Sequence, residues 1–211
     1  MRLLDLFTGS GSVARAAEEL GYEVTSLDID EKCEPDICAD ILEFDYTQYA
    51  PGSFDVIWAS PPCDKFSKAC FSNIGRYGIT RETLLRDIHL IGLPILRRTE
   101  DIIRYLKPRK YFIENPATGR MKDFVSLPNE TYTLDYCAYS DWGYRKRTNV
   151  FTNVRGFQPK LSSTSSTSTR ASCTCRTGRR RRSAAALMAR RSCSARSTAP
   201  PSCSRIRSRR T

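Results

Sequence analysis

The chain has no uninterrupted run of about 18 apolar residues, the length that a membrane-spanning helix requires. Its apolar opening, Leu3 to Phe7, is too short for the core of a secretion signal. These absences predict a soluble, intracellular protein with no membrane partner. Histidine is almost missing, and the one present, His89, falls in a helical stretch away from every motif described below, which suits a structural role. The nine cysteines follow no regular spacing, and only Cys173-x-Cys175 stands as a close pair. Neither a disulfide framework nor a metal site is expected. Cys33, Cys38, Cys70 and Cys137 read as reduced structural thiols.

Residues 161–211 lack lysine, aspartate, glutamate and every aromatic residue, yet hold thirteen arginines. The net charge of +11 is therefore a property of the tail, and residues 1–160 alone carry −2. A segment almost only of Ser, Thr, Arg, Ala, Cys and Pro, without hydrophobic period, cannot bury enough apolar surface to offset the entropy of ordering. The expected organisation is one folded domain over 1–157, followed by a low-complexity basic tail over 158–211 that is disordered. The tail's composition fits both an ordinary basic extension and GC-rich coding sequence translated out of frame.

Before the tail, apolar strand-like runs alternate with helical stretches, the pattern of an α/β domain whose parallel sheet is covered on both faces. Strands are expected at Arg2–Phe7, Glu23–Asp28, Asp36–Ala39, Asp55–Ala59, Tyr111–Glu114, Tyr132–Tyr139 and Asn149–Thr152. A helix fits Ser12–Leu20, and a second helical stretch, interrupted near Gly92, ends at Pro108. Pro94 suits its first turn, and Ile95, Ile102, Ile103 and Leu106 share one face. Chemistry in such a fold gathers at the carboxyl ends of the parallel strands.

Asp5-Leu6-Phe7-Thr8-Gly9-Ser10-Gly11 puts glycines between a strand and a helix, where the backbone turns tightly and a ligand comes close. The third glycine of the dinucleotide fingerprint is missing, and no Walker lysine follows, which argues against NAD and ATP. Asp28, at the end of the second strand, is placed to accept hydrogen bonds from a ribose diol; charged bonds of this kind contribute roughly 1.5–3 kcal/mol each. Taken without the glycine turn, Asp28, Asp30 and Asp40 would read as solvated strand ends.

The most specific segment is Ser60-Pro61-Pro62-Cys63-Asp64-Lys65-Phe66-Ser67, a cysteine held by two stiff prolines at the mouth of a strand. A thiol fixed beside a ligand cleft is a candidate covalent nucleophile, whereas a cysteine chosen at random is more often an inert buried thiol. Tyr111-Phe112-Ile113-Glu114-Asn115-Pro116 delivers a carboxylate at a strand end, where it can hold or share a proton with a substrate ring. Gly143-Tyr144-Arg145-Lys146-Arg147 sets alternate cations along an extended segment, an arrangement that suits an anion or an ordinary basic edge.

In this order, Asp5-Leu6-Phe7-x-Gly9-x-Gly11, Pro62-Cys63-x-x-Phe66-Ser67, Glu114-Asn115 and Arg145-x-Arg147 resemble the DNA cytosine-5 methyltransferases, in a short viral or phage-like form, over residues 2–152. The resemblance implies a Rossmann-like domain that binds S-adenosyl-L-methionine and acts on double-stranded DNA as a monomer. It places Phe7, Gly9, Gly11, Asp28, Ile29, Asp40, Ile41 and Pro62 around the cofactor, Phe7 against the adenine and Asp28 on the ribose. Cys63 is then the nucleophile that adds to C6 of a flipped-out cytosine, Glu114 holds N3 and the exocyclic amine, and Arg145 and Arg147 orient the base. The loop Phe66–Thr80 is the candidate for closing over that base.

Ser12 stands where many members have another glycine, Asp64 where Gln is common, Pro116 where Val is, and Tyr144 lies in a segment that often holds Gln. Nothing in 153–211 looks like the target-recognition region or the last two motifs that members carry there. Three alternatives stay open: a cytosine methyltransferase acting on RNA, an N4 methyltransferase suggested by Ser60-Pro61-Pro62, and a noncatalytic remnant that binds cofactor or nucleic acid through its basic tail.

Overall fold

A computed structural model describes residues 1–76, 78–139 and 146–160. Arg145 and the tail over 161–211 lie outside the described residues. Seven strands form one sheet: β1 (Arg2–Leu6), β2 (Glu23–Asp28), β3 (Ile37–Cys38), β4 (Val56–Ala59), β5 (Lys110–Pro116), β6 (Glu130–Asp135) and β7 (Arg147–Thr152). Their spatial order is β3-β2-β1-β4-β5-β7-β6. The first five in that order run parallel, and β7 runs antiparallel to both β5 and β6. The chain leaves β1 toward β2 and β3, then crosses back to add β4 on the other side. The carboxyl ends of β1 and β4 therefore flank the crevice where open α/β sheets take ligands.

Strand alternation sorts the core. Leu4, Leu6, Ile57, Ile113 and Phe151 pack with Ile102, Ile103 and Leu106 of α4 (Leu93–Leu106). Leu3 and Val56, on the opposite face, pack with Ala17 of α1 (Ser12–Glu19). Further along that second face, Trp58, Phe112, Tyr132, Leu134, Val150 and Phe157 line an apolar hollow of about 300 Å³.

Three expectations are refined. The loop after Cys63 contains a short helix, α2 (Lys68–Phe71), that apolar periodicity does not reveal over one turn. The interruption near Gly92 is a π-helical turn, Ile88–Gly92, inserted between α3 (Arg81–Asp87) and α4, with Pro94 in the first turn of α4. The strand expected through Tyr139 stops at Asp135, and Tyr136–Ala138 form a 3-10 turn. There the Tyr136 N–H donates to the Lys146 carbonyl at 3.0 Å, beside the pairing of Asp135 with Arg147. No described helix is long and apolar enough to cross a membrane.

Candidate active site

The glycine turn after β1 is built by left-handed backbone at Phe7 (φ 64°), Gly9 (φ 51°) and Gly11 (φ 68°). Such a conformation costs a residue with a Cβ roughly 1–2 kcal/mol, so Phe7 is held there by its surroundings. Its N–H and that of Thr8 both donate to the Leu27 carbonyl, at 2.8 and 3.1 Å, which ties the turn to the end of β2. Gly11 caps α1 without a side-chain acceptor. Asp5, 1% exposed, lies beneath this turn and accepts from the Thr8 hydroxyl at 2.7 Å. Burial pushes Asp5 up to about 6, against the pull of the Thr8 bond, and the Asp28 charge adds to the rise.

Asp28 stands at the end of β2, half-buried. Its two carboxylate oxygens accept from the Gly9 N–H and the Asp30 N–H, each at 2.9 Å. Each oxygen has a second lone pair left for a ligand. Ile29 beside it is 57% exposed. Asp40 caps the next turn by accepting from the Leu42 N–H at 2.9 Å, and Ile41 is buried in the main core. The β1 and β2 ends thus bring together Phe7, Gly9, Gly11 and Asp28, with Ile29 at the rim, while Ile41 packs behind.

On the other side of the crevice, β4 and β5 are parallel neighbours in register Ala59↔Ile113. Pro61 to Cys63 follow the end of β4, beside Glu114 and Asn115, which continue β5 past its pairing with β4 and pair with β7. Asn115, 1% exposed, donates from Nδ2 to the Pro61 carbonyl at 3.2 Å, joining the two strand ends. Its Oδ1 is buried and has no hydrogen-bond partner among the described residues. Pro62 is exposed and Cys63 half-buried. Burial pushes the Cys63 thiol up, and Asp64 and Glu114 push the same way; the Lys146 charge and the residue's own N–H pull it down.

Glu114 is 8% exposed and gathers three donors on Oε1: the Thr148 hydroxyl, the Tyr136 hydroxyl at 3.3 Å and the Lys146 ammonium at 3.3 Å. Arg147 does not reach this carboxylate. It pairs with Asp135, which is 1% exposed, through Nε at 3.0 Å and a second nitrogen at 3.3 Å. Lys146, Thr148 and Tyr136 were not among the expected site residues. The basic triplet was the available signal, but it did not say which cation faces inward.

The loop after Cys63 starts from a fixed point. Phe66 is 1% exposed and packs with Ile88, Leu96 and Met121, and its carbonyl accepts from the Arg120 N–H at 2.8 Å. Gly92 makes room for its ring: a Cβ there would meet Phe66 ring carbons at 2.9 and 3.0 Å. Among the described residues no group of three or more metal-ligand side chains stands together.

No protein-family model matches the chain. A protein of frog virus 3 (isolate Goorha), described as "Probable DNA (cytosine-5)-methyltransferase", is 50% identical over 163 residues, which cover 76% of this chain and 74% of the relative. Among solved structures, the methyltransferase EhMeth of Entamoeba histolytica superposes with a TM-score of 0.50 at 17% identity, covering 77% of this chain and 55% of that one. The Dnmt2 methyltransferase of S. pombe follows at 0.47 and 17%, covering 75% and 53%. The chain spans about half the length of these solved structures. By its identity to the viral relative, the chain belongs to the DNA (cytosine-5)-methyltransferase family.

Proposed function

We propose that this protein methylates C5 of cytosine in double-stranded DNA, with S-adenosylmethionine as methyl donor and Cys63 as covalent nucleophile. The observation that carries the reading is the convergence of Cys63 and Glu114 from adjacent parallel strand ends, joined by the bond from Asn115 to Pro61. The turn after β1 fits the cofactor: left-handed backbone at three alternate positions leaves it open, and Asp28 offers free lone pairs beside it. S-adenosylmethionine supplies an electrophilic methyl group. Phe7 would hold its adenine and Asp28 its ribose. Gly9 and Gly11 allow close approach, Ile29, Asp40 and Pro62 border the pocket, and Ile41 supports it from the core.

C5 of cytosine is a poor nucleophile until C6 carries an added group, and Cys63 Sγ supplies that addition. Glu114 holds N3 and the exocyclic amine, steadying the charge that develops on the ring. Arg145 contributes to base and backbone orientation, while Arg147 is engaged by Asp135. Loss of the C5 proton after methylation then lets Sγ leave. The target base has to leave the duplex stack, at a cost of a few kcal/mol, and the loop beyond Phe66 closes over it.

The test is incubation of the whole chain with S-adenosylmethionine and duplex DNA containing 5-fluorocytosine, beside Cys63→Ala. Fluorine at C5 blocks the final proton loss and traps the adduct. A denaturation-resistant complex that requires both the cofactor and Cys63 is expected. Cofactor binding without any complex would overturn the DNA reading, and a complex formed only with fluorocytosine RNA would transfer the chemistry to that substrate.

A further inference from the structure

β7 alternates, so neighbouring residues point to opposite faces of the sheet. Thr148 bonds Glu114, and Lys146, two residues earlier, falls in phase with it and reaches the same Oε1 at 3.3 Å. Arg147 falls out of phase and meets Asp135. Lys146 is half-buried, with its Nζ 5.0 Å from the centre of the Tyr136 ring, whose hydroxyl also bonds Glu114. Among the described residues, the charged and titratable groups facing Lys146 are Glu114, Tyr136 and Cys63, and those facing Cys63 are Lys146, Asp64 and Glu114. Asp64 has a neighbour of its own in Lys65, at 3.6 Å.

We propose that Lys146 is the positioning cation of the catalytic pocket, fixing Glu114 and balancing its charge beside Cys63, and that Arg147 serves Asp135 instead. The inference rests on the reading of Cys63 and Glu114 as the catalytic pair. Its physical content is a shared cation: one ammonium faces both a carboxylate and a thiol that must lose its proton to react. Burial opposes the charge on Lys146, but Glu114, Tyr136 and Cys63 together hold its pKa above the ordinary value. Removing the ammonium leaves the Glu114 charge unbalanced beside Cys63, so both the loss of the cation and the exposure of the carboxylate push the thiol up. A lysine serves here as a compact point charge, whereas the forked guanidinium of Arg147 matches the two oxygens of Asp135.

The measurement is the rate of Cys63 alkylation by iodoacetamide across pH, followed by peptide mass spectrometry on the whole chain. In Lys146→Met the midpoint is expected to rise by roughly one pH unit, the low end of the effect of one nearby opposite charge. Lys146→Arg should restore most of it. The double variant Lys146→Met with Glu114→Gln should bring the midpoint back toward the parent, which also covers the case in which the single change impairs folding. Arg147→Met should leave the midpoint in place while lowering the melting temperature, because buried Asp135 loses its paired bonds from Arg147. An unmoved midpoint in Lys146→Met, or an equal rise in Arg147→Met, overturns the assignment. Alkylation needs neither DNA nor cofactor. A shifted midpoint in a chain that forms no fluorocytosine adduct would therefore refute the proposed activity and keep the cation, and an adduct with an unmoved midpoint would do the reverse.

Discussion

Asn115 Nδ2 donates to the Pro61 carbonyl at 3.2 Å, and through that bond the end of β5 fixes the turn that carries Cys63. Proline stiffness alone orients a turn but does not anchor it to a neighbouring strand. Asn115→Ala should therefore cost only about 1 kcal/mol of stability, the usual net worth of one hydrogen bond. Its effect on adduct formation should be larger, about 10–100-fold, since a misplacement near 1 Å at a reacting atom has that consequence. Denaturant unfolding and trapping of the fluorocytosine adduct, measured on the same sample, check the two together. Equal small losses in both would show that the bond supports the fold and does not aim the thiol.

Asp5 gives a pH signature. Its carboxyl titrates at about 6 in the folded chain against 3.8 ordinarily, chiefly because it is buried. The folded state binds the proton more tightly, so this group's contribution to stability is complete below 3.8 and is lost as the pH rises through 6. The difference corresponds to roughly 3 kcal/mol. Asp5→Asn cannot titrate. Relative to this variant, the parent protein should lose stability between about pH 4 and pH 7, as read from paired urea unfolding curves. Parallel stability-pH curves for the two proteins would sink the idea.

The strands along the chain and the position of Cys63 after one of them were legible because short apolar runs bounded by polar residues mark buried parallel strands, and strand ends in such sheets carry the chemistry. Glu114 was legible for the same reason. The choice between Lys146 and Arg147 was not. Every residue of β7 from Thr148 to Thr152 is buried, so no polar and apolar alternation announces its phase. Only the partners on β5 and β6, Glu114 and Asp135, distinguish the two cations. Asp5 and Asn115 stood within the motifs without a role of their own, for a related reason: periodicity does not mark the groups they meet, the Thr8 hydroxyl and the carbonyl of Pro61. The π-helical turn was visible only as an interruption, and the closeness of Gly92 to the Phe66 ring is a tertiary contact that local sequence does not announce.

That contact sets two effects of similar size against each other. Alanine in place of Gly92, whose backbone is already helical (φ −70°), gains up to about 1 kcal/mol of helix propensity. The added methyl would sit 2.9 Å from the Phe66 ring, which also packs against Phe124 at a centroid distance of 5.8 Å. Overpacking of a fixed ring costs about 1–3 kcal/mol, so the clash should win. Gly92→Ala is expected to lower the melting temperature, and adding Phe66→Leu should recover part of the loss. A Gly92→Ala protein more stable than the parent would mean that the ring yields freely.

Glu100 supplies the opposite pH sign to Asp5. Its side chain is fully buried on α4 and accepts from the Ser126 N–H at 2.5 Å, the Ser126 hydroxyl at 2.6 Å, the Leu127 N–H at 3.1 Å and Arg97 at 2.6 Å. Burial opposes its charge, but the Ser126, Arg97 and Leu127 bonds outweigh it and hold the carboxyl below its ordinary value of 4.5. The stability that Glu100 contributes is therefore present above 4.5 and is lost as the pH falls through the lowered folded value. Glu100→Gln keeps the shape but not the charge, and it turns a donor toward Ser126. At pH 7 the variant should be less stable by about 2–4 kcal/mol, the range for a buried charged network that loses its acceptor. Below pH 4.5 the gap to the parent should narrow, because the unfolded parent takes up a proton that its folded carboxylate resists. Urea unfolding on either side of that value decides the matter: a gap that stays constant would mean that packing around α4, and not the charge on Glu100, ties the 126–127 segment to the helix.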